Sequence, residues 1–213
     1  MGLDLFRDHR DELVQRLFVE EGFAGNGGDY YDPRNSLLPH VLTRRTGIPI
    51  TLAVVCMEVG RRAGVPIEGV GMPGHFLVRP VGGNVLLDVF DGGTEMSLEA
   101  CEQRFRGLGG TGPFGPHLLA PTPTPAILVR MLENLRGAFR LLRRPAGTEW
   151  VLRMRLALPG AGLAEKMELA QALGSQAKWV EGARILKEQA EQAQPELAES
   201  LGLAARSLMA NLN

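Results

Sequence analysis

The hydrophobic period of the chain changes from 3.6 to 2 between Ala63 and Ile67, and that change limits the folds open to it. Before it, Thr51 to Ala63 carries an uninterrupted apolar stretch, Leu52-Ala53-Val54-Val55-Cys56-Met57; Pro49 stands where a first-turn proline is tolerated, and Gly64 followed by Pro66 closes the element. A helix that is apolar all round over Leu52 to Met57 is expected to be central and buried. After it come three short β-branched or aromatic runs, Ile67 to Val70, Phe76 to Pro80 and Val85 to Phe90, each bounded by Gly or Pro. The expectation is an α+β fold in which a buried helix lies against a small antiparallel sheet.

The flanks extend this frame. Asp8 to Glu21 places Leu13, Val14, Leu17 and Phe18 on one helical side, and Gly22 stops it. Ala24 to Asn35 consists of turn formers around Tyr30-Tyr31 and reads as an ordered loop. Leu37 to Arg45 reads as a short helix closed by Gly47, with Asn35 or Ser36 as its cap, and Ser97 as the cap of another. Gly107 to Pro125 holds five Gly and five Pro in 19 residues and reads as a linker. Beyond it, helical patterns at Ala126 to Arg144, Glu149 to Leu158, Leu163 to Leu173, Lys178 to Gln192 and Glu196 to Leu212 make the last third all-α. The expected division is therefore residues 1–120 and a helical extension, 121–213.

Charge and composition exclude several function classes. Lys plus Arg (23) nearly cancels Asp plus Glu (24), so the net charge of −1 offers no field for nucleic acid or an anionic membrane. The first eight residues have acids where a signal peptide would have a basic flank, and no apolar run is long enough to span a bilayer, so a cytoplasmic protein is expected. His9, His40, His75 and His117 lack ligand spacing, and Gly107, Gly109 and Gly112 form a GxGxxG with no strand before it and Pro113 and Pro116 after it. Neither a metal nor a cofactor is expected. Cys56 and Cys101 should be free thiols, Cys56 in the core, with Cys101 undecided. Seven Arg between Arg130 and Arg155 face only Glu133 and Glu149; a solvated face is the plainer reading and a partner-docking surface the sharper one.

His75 carries the chemistry. It enters a strand directly after Pro73-Gly74, and a hairpin turning at Gly82-Gly83 would set Leu77 opposite Asp88 and His75 opposite Phe90. His75 and Asp88 would then share a face as diagonal neighbours, close enough to hydrogen-bond. An acid orienting a histidine is the rear half of a catalytic triad. A nucleophile at the N-terminus of the buried helix would complete it, and Thr51 stands there, although a threonine hydroxyl needs far more help from a base than a thiol.

Six ordered motifs point the same way: Gly22-Phe23-Ala24-Gly25-Asn26, Tyr30-Tyr31-Asp32-Pro33, Asn35-Ser36-Leu37-Leu38, Arg44-Arg45-Thr46-Gly47-Ile48-Pro49-Ile50-Thr51-Leu52, Pro73-Gly74-His75-Phe76-Leu77-Val78-Arg79 and Asp88-Val89-Phe90-Asp91-Gly92-Gly93. Together they resemble the SirB-type transglutaminase-like family, whose core is similar to papain-like cysteine proteases. The resemblance implies a Cys-type nucleophile position at Thr51, the histidine at His75 and the acid at Asp88, with Asn35 and Ser36 as candidate cleft-lining residues. Members of that branch commonly have Ser or Thr at the first position, and Val89 replaces a more usual Pro. Residues Gly162 to Pro195 resemble one degenerate tetratricopeptide repeat. Two functions follow as expectations: a non-catalytic or vestigial module that binds a peptide or protein, and, as the alternative, an amide-bond hydrolase or acyltransferase using Thr51, His75 and Asp88.

Overall fold

The computed structural model describes residues 9–212, and two compact units divide the chain, Met1–Ile127 and Leu128–Asn213. In the first, helix α1 (residues 9–20) buries Leu13 and Leu17, and its second half, Gln15–Glu20, is wound as a π-helix. Asp8 and the acidic residues before it lie outside the described part. Helix α2 spans Leu38–Arg44 and α3 spans Pro49–Ala63. As its apolar sequence requires, α3 buries Ile50, Leu52, Ala53, Val55 and Cys56, and it ends on Gly64 in the left-handed region.

The sheet follows α3 as the period change demands. Strands β3 (Ile67–Val70), β4 (Leu77–Pro80), β5 (Leu86–Asp88) and β6 (Thr94–Met96) form one antiparallel sheet in that order. Val78 pairs with Leu87, the expected register, although the turn that forms is Pro80–Gly83, centred on Val81 and Gly82, with the Gly83 N–H on the Pro80 carbonyl at 2.9 Å. Three expectations change. The run Val85 to Phe90 is strand only to Asp88, because the Asp88 carboxylate accepts the Phe90 N–H at 3.1 Å and turns Val89–Asp91 into a 3-10 helix. The Ala24 to Asn35 loop contains β1 (Ala24–Gly25), paired in parallel with β2 (Thr46–Gly47). The Gly/Pro segment is not a free linker: Leu119 is buried with Phe105 and Cys101, and the Thr122 N–H donates to the Gly69 carbonyl at 2.8 Å. Helix α4, Leu98–Gly107, is capped by Ser97, whose hydroxyl accepts the Ala100 N–H.

All five C-terminal helical patterns fold as helices: α5 (Thr124–Leu141), α6 (Pro145–Leu156), α7 (Leu163–Gly174), α8 (Trp179–Ala190) and α9 (Pro195–Met209). Leu152 packs on Leu169 and Leu173, and Ala170, Ala183, Leu186, Leu201 and Ala205 form a second small-residue core. Glu149 is the polar hub of this unit. One of its oxygens accepts from Arg153 and the other from Gln176 and Lys178, at 2.8 and 2.6 Å. Burial pushes its carboxyl up, yet Lys178, Arg153 and Gln176 outweigh that and hold it at about 2. The arginine-rich segment is therefore not one solvated face. Arg136 pairs with Glu168 and Glu133, Arg153 bridges Glu149 and Glu181, and Arg155 is buried on the Leu158 and Pro159 carbonyls.

Because the folded carboxyl of Glu149 lies below its unfolded value of about 4.3, its contribution is present above that pH and disappears as pH falls through about 2. Glu149→Gln should lower stability by about 2 kcal/mol at neutral pH, and urea melts should show the difference shrinking between pH 5 and pH 2. In the first unit, burial pushes the Cys56 thiol up to about 12, and Cys101 is equally enclosed. Both thiols should resist alkylation in native protein at neutral pH and react once it is unfolded; rapid native labelling at Cys56 would contradict its place in the core.

Candidate active site

Local chemistry delivers His75 to its position. The His75 N–H donates to the Met72 carbonyl at 3.1 Å, closing a four-residue turn with Pro73 second and Gly74 third; Gly74 has φ +78°, the left-handed value that a type II turn requires there. The strand then starts, and the Val78–Leu87 register carries the His75 and Asp88 side chains to the same face. Their contact is direct: His75 Nε2 lies 2.9 Å from Asp88 Oδ2. Both are deeply buried, His75 4% exposed and Asp88 0%.

Asp88 has two further partners. Its other oxygen holds the Phe90 N–H, and Arg104 of α4 approaches Oδ2 at 3.3 Å. Burial alone would raise the Asp88 carboxyl, but the hydrogen bond and charge of His75, the Arg104 guanidinium and the Phe90 N–H together leave it below the usual range. Phe90 covers the pair. Its ring meets His75 edge-on at 6.4 Å and Tyr30 at 6.2 Å, and Tyr30 in turn stacks edge-on with Tyr31. Gly25 makes this seating possible, since a Cβ there would stand 2.5 Å from the Phe90 ring. Cys101 is close enough to feel the Asp88 charge, which adds to burial in raising its thiol, with Arg104 acting in the opposite direction.

Thr51 is occupied elsewhere. Its Oγ1 donates to the Asn35 carbonyl at 2.7 Å, with the Ile48 carbonyl at 3.0 Å as a second acceptor, and accepts the Ile48 N–H at 3.1 Å. It is 0% exposed. The third helical residue thus caps the start of α3 from inside, doing what a capping-box side chain does. Asn35 is likewise internal rather than cleft-lining: its amide donates to the Asp29 and Tyr30 carbonyls, and its oxygen accepts from Asn26 and Arg44. Ser36 is buried at the end of the 3-10 turn Pro33–Asn35, and α2 is entered through Leu37, so neither Asn35 nor Ser36 caps that helix. The structure therefore joins His75 to Asp88 and ties Thr51 to Asn35 in a separate buried network.

Sequence reasoning missed Arg104 and Phe90. Arg104 falls seven residues after the Ser97 cap, where an exposed helical arginine has no distinguishing mark. Phe90 was readable as the residue opposite His75, but not as a cover, because that depends on the close approach of Gly25. Among the described residues no three His, Cys, Asp or Glu side chains are placed to share a metal ion, and no helix is long and apolar enough to cross a membrane.

The lowered Asp88 carboxyl gives a signed expectation. A folded value below about 3.9 means stability that is present above that pH and lost as pH falls through the folded value. Asp88→Asn should cost about 3 kcal/mol at pH 7, since His75 and Arg104 lose their counter-charge, and the gap from wild type should narrow below pH 4 in denaturant titrations.

The chain is 47% identical over 129 residues to a UPF0162 protein of Xylella fastidiosa, covering 58% of this chain and 46% of that one. It is 36% identical over 127 residues to a UPF0162 protein of Pseudomonas aeruginosa, covering 60% and 47%. It is also 37% identical over 112 residues to F-box only protein 21 of Mus musculus, covering 48% of this chain and 18% of the mouse protein. The chain thus spans about half the length of the UPF0162 relatives it matches. No solved structure matches it significantly. Residues 6–133, which hold Thr51, His75, Asp88 and Arg104, match the family described as the transglutaminase-like superfamily, and the chain belongs to it.

Proposed function

We propose that this is a SirB-type, cytoplasmic member of the superfamily in which a papain-like frame persists without acyl-transfer chemistry, and that it acts by binding a peptide or protein. One observation carries the reading: the Thr51 hydroxyl is sealed from solvent and bonded in every direction. A triad nucleophile must pass its proton to the imidazole and reach an acyl carbon. The Thr51 proton instead lies between two carbonyl oxygens, which are not bases, and no carbonyl substrate reaches a fully buried atom. Both thiols, Cys56 and Cys101, are enclosed as well, so neither is placed to act in its stead.

On this reading the His75–Asp88 pair is retained as a cross-brace between β4, β5 and α4. The matched segment makes up less than a fifth of the mouse relative, a mode of occurrence that suits a module carried by longer chains. The helical unit is read as one tetratricopeptide-like pair, α7 and α8, whose open faces are covered by α6 and α9.

Thr51→Val removes the hydroxyl at nearly constant shape and should cost about 2 kcal/mol, with Thr51→Ser restoring most of it; a purely catalytic threonine would leave the melting point unmoved. The thiol introduced by Thr51→Cys should alkylate slowly, with an apparent pKa no lower than the ~8.5 of a free cysteine and no response to His75→Ala. An acyl adduct on Thr51 after treatment with p-nitrophenyl acetate, seen by mass spectrometry and abolished by His75→Ala, would overturn the non-catalytic reading.

A further inference from the structure

The helical unit carries a second surface that the His75–Asp88 site does not use. An open groove of about 1020 Å³ runs among α5, α7 and α9, lined on its apolar side by Phe139, Met167, Leu186 and Leu208. At one end stand Arg140, Arg143 and Arg144, all exposed. The remaining acid on the lining, Glu168, is already paired with Arg136 and lies 3.7 Å from Arg140. Among the described residues no carboxylate pairs with Arg143 or Arg144. The groove therefore presents apolar surface next to uncompensated positive charge.

The backbone adds an independent observation. Helix α5 ends with the Arg144 N–H on the Phe139 carbonyl and the Arg143 N–H on the Arg140 carbonyl, a closure whose central residue must be left-handed. That residue is Arg143, at φ +51°, where glycine would be free of strain. The loop thus holds a guanidinium at the mouth of the groove in a conformation that its own backbone disfavours. Arg45 and Ala177 adopt the same left-handed form, so what marks Arg143 is its place on the groove lining beside Arg144.

We propose that this groove binds a peptide segment of another protein in which two or more carboxylates flank apolar side chains. The inference rests on the binding reading above and gives it a place and a partner chemistry. The volume is at the upper end of the ~300–1,000 Å³ of small-ligand sites, which suits several residues of chain. Arginine forks match carboxylates, and the aliphatic and thioether lining takes up apolar side chains without requiring a fixed shape. Nucleic acid is disfavoured because the only aromatic ring on the lining is Phe139 and the net charge is −1.

The experiment uses the full chain and fluorescein-labelled octapeptides alternating leucine with glutamate, glutamine or lysine, read by fluorescence anisotropy. The glutamate peptide should bind at least tenfold tighter than the glutamine peptide, weaken as salt rises, and lose at least tenfold on Arg143→Glu/Arg144→Glu with the circular dichroism melt retained. Arg143→Gly separates function from folding: it should weaken the peptide and raise the melting temperature by about 2–4 °C by relieving the strain. Equal binding of the glutamate and glutamine peptides, or binding indifferent to the arginines, overturns the groove. So does self-association in sedimentation that the arginine reversal abolishes, which would make a second copy the occupant, and so does a labelled dT8 oligonucleotide that displaces the peptide at lower concentration. If no glutamate peptide binds, the groove inference falls while the non-catalytic reading, which stands on Thr51, is untouched.

Discussion

A buried hydroxyl has one proton and two lone pairs, and at Thr51 they bind together three segments that would otherwise meet as unsatisfied backbone. The Ile48 N–H is one of the orphan donors at the start of α3, and the Asn35 carbonyl is the end of a 3-10 turn, both shut away from water. Leaving such a group unpaired costs about 1–3 kcal/mol. From Asn35 the network passes to the Asp29 and Tyr30 carbonyls and to Arg44, so the loop that carries Tyr30 is fastened to the helix start. Tyr30 then contacts Phe90, and Phe90 covers His75. The surroundings of the His75–Asp88 pair therefore depend on a side chain whose own hydrogen bonds go to Ile48 and Asn35.

The same position explains why a helix-start argument points at Thr51 and what opposes activation of its hydroxyl there. A helix dipole is worth roughly 0.3–1 kcal/mol to an anion near the first turn. One proton shared between two carbonyls and one accepted N–H in a sealed site are together worth more than that, and the donated bond is lost if the proton turns toward an imidazole. Satisfaction of buried polar groups wins over activation. A thiol, a poorer hydrogen-bond former, would have less to lose at this place.

Much of the first unit was legible because its signals are local. The alternation of Leu77 and Leu87 about a Gly-containing turn leads to the observed register, and with it to the 2.9 Å contact of His75 with Asp88, although the turn is centred one residue earlier than Gly82-Gly83. The strand end at Asp88 was not legible, since it depends on whether one carboxylate oxygen prefers a backbone N–H two residues on to the next ladder bond. The two-residue strands Ala24–Gly25 and Thr46–Gly47 have too little sequence to show a period. The Gly/Pro segment reads as a linker from composition, yet Leu119 has a cavity to fill beside Phe105 and Cys101, and one apolar side chain was enough to dock it.

Charge shows the same limit more sharply. Counted along the chain, the segment from Arg130 to Arg155 is strongly basic, but it gains acids from elsewhere: Glu168 of α7 joins Glu133 on Arg136, and Glu181 of α8 joins Glu149 on Arg153. Within the segment, Glu149 is held by Lys178 and Gln176, whose places in the sequence are nearly thirty residues away. A linear count assigns one meaning to all these arginines, whereas the fold sorts them by what faces them. Arg136, Arg153 and Arg155 become internal braces, and the excess survives only where the chain turns from α5 into α6. At that turn the backbone itself adopts the left-handed form at Arg143. Among the described residues no carboxylate pairs with Arg143, so it is no brace, and its exposed guanidinium is left open to a carboxylate from outside.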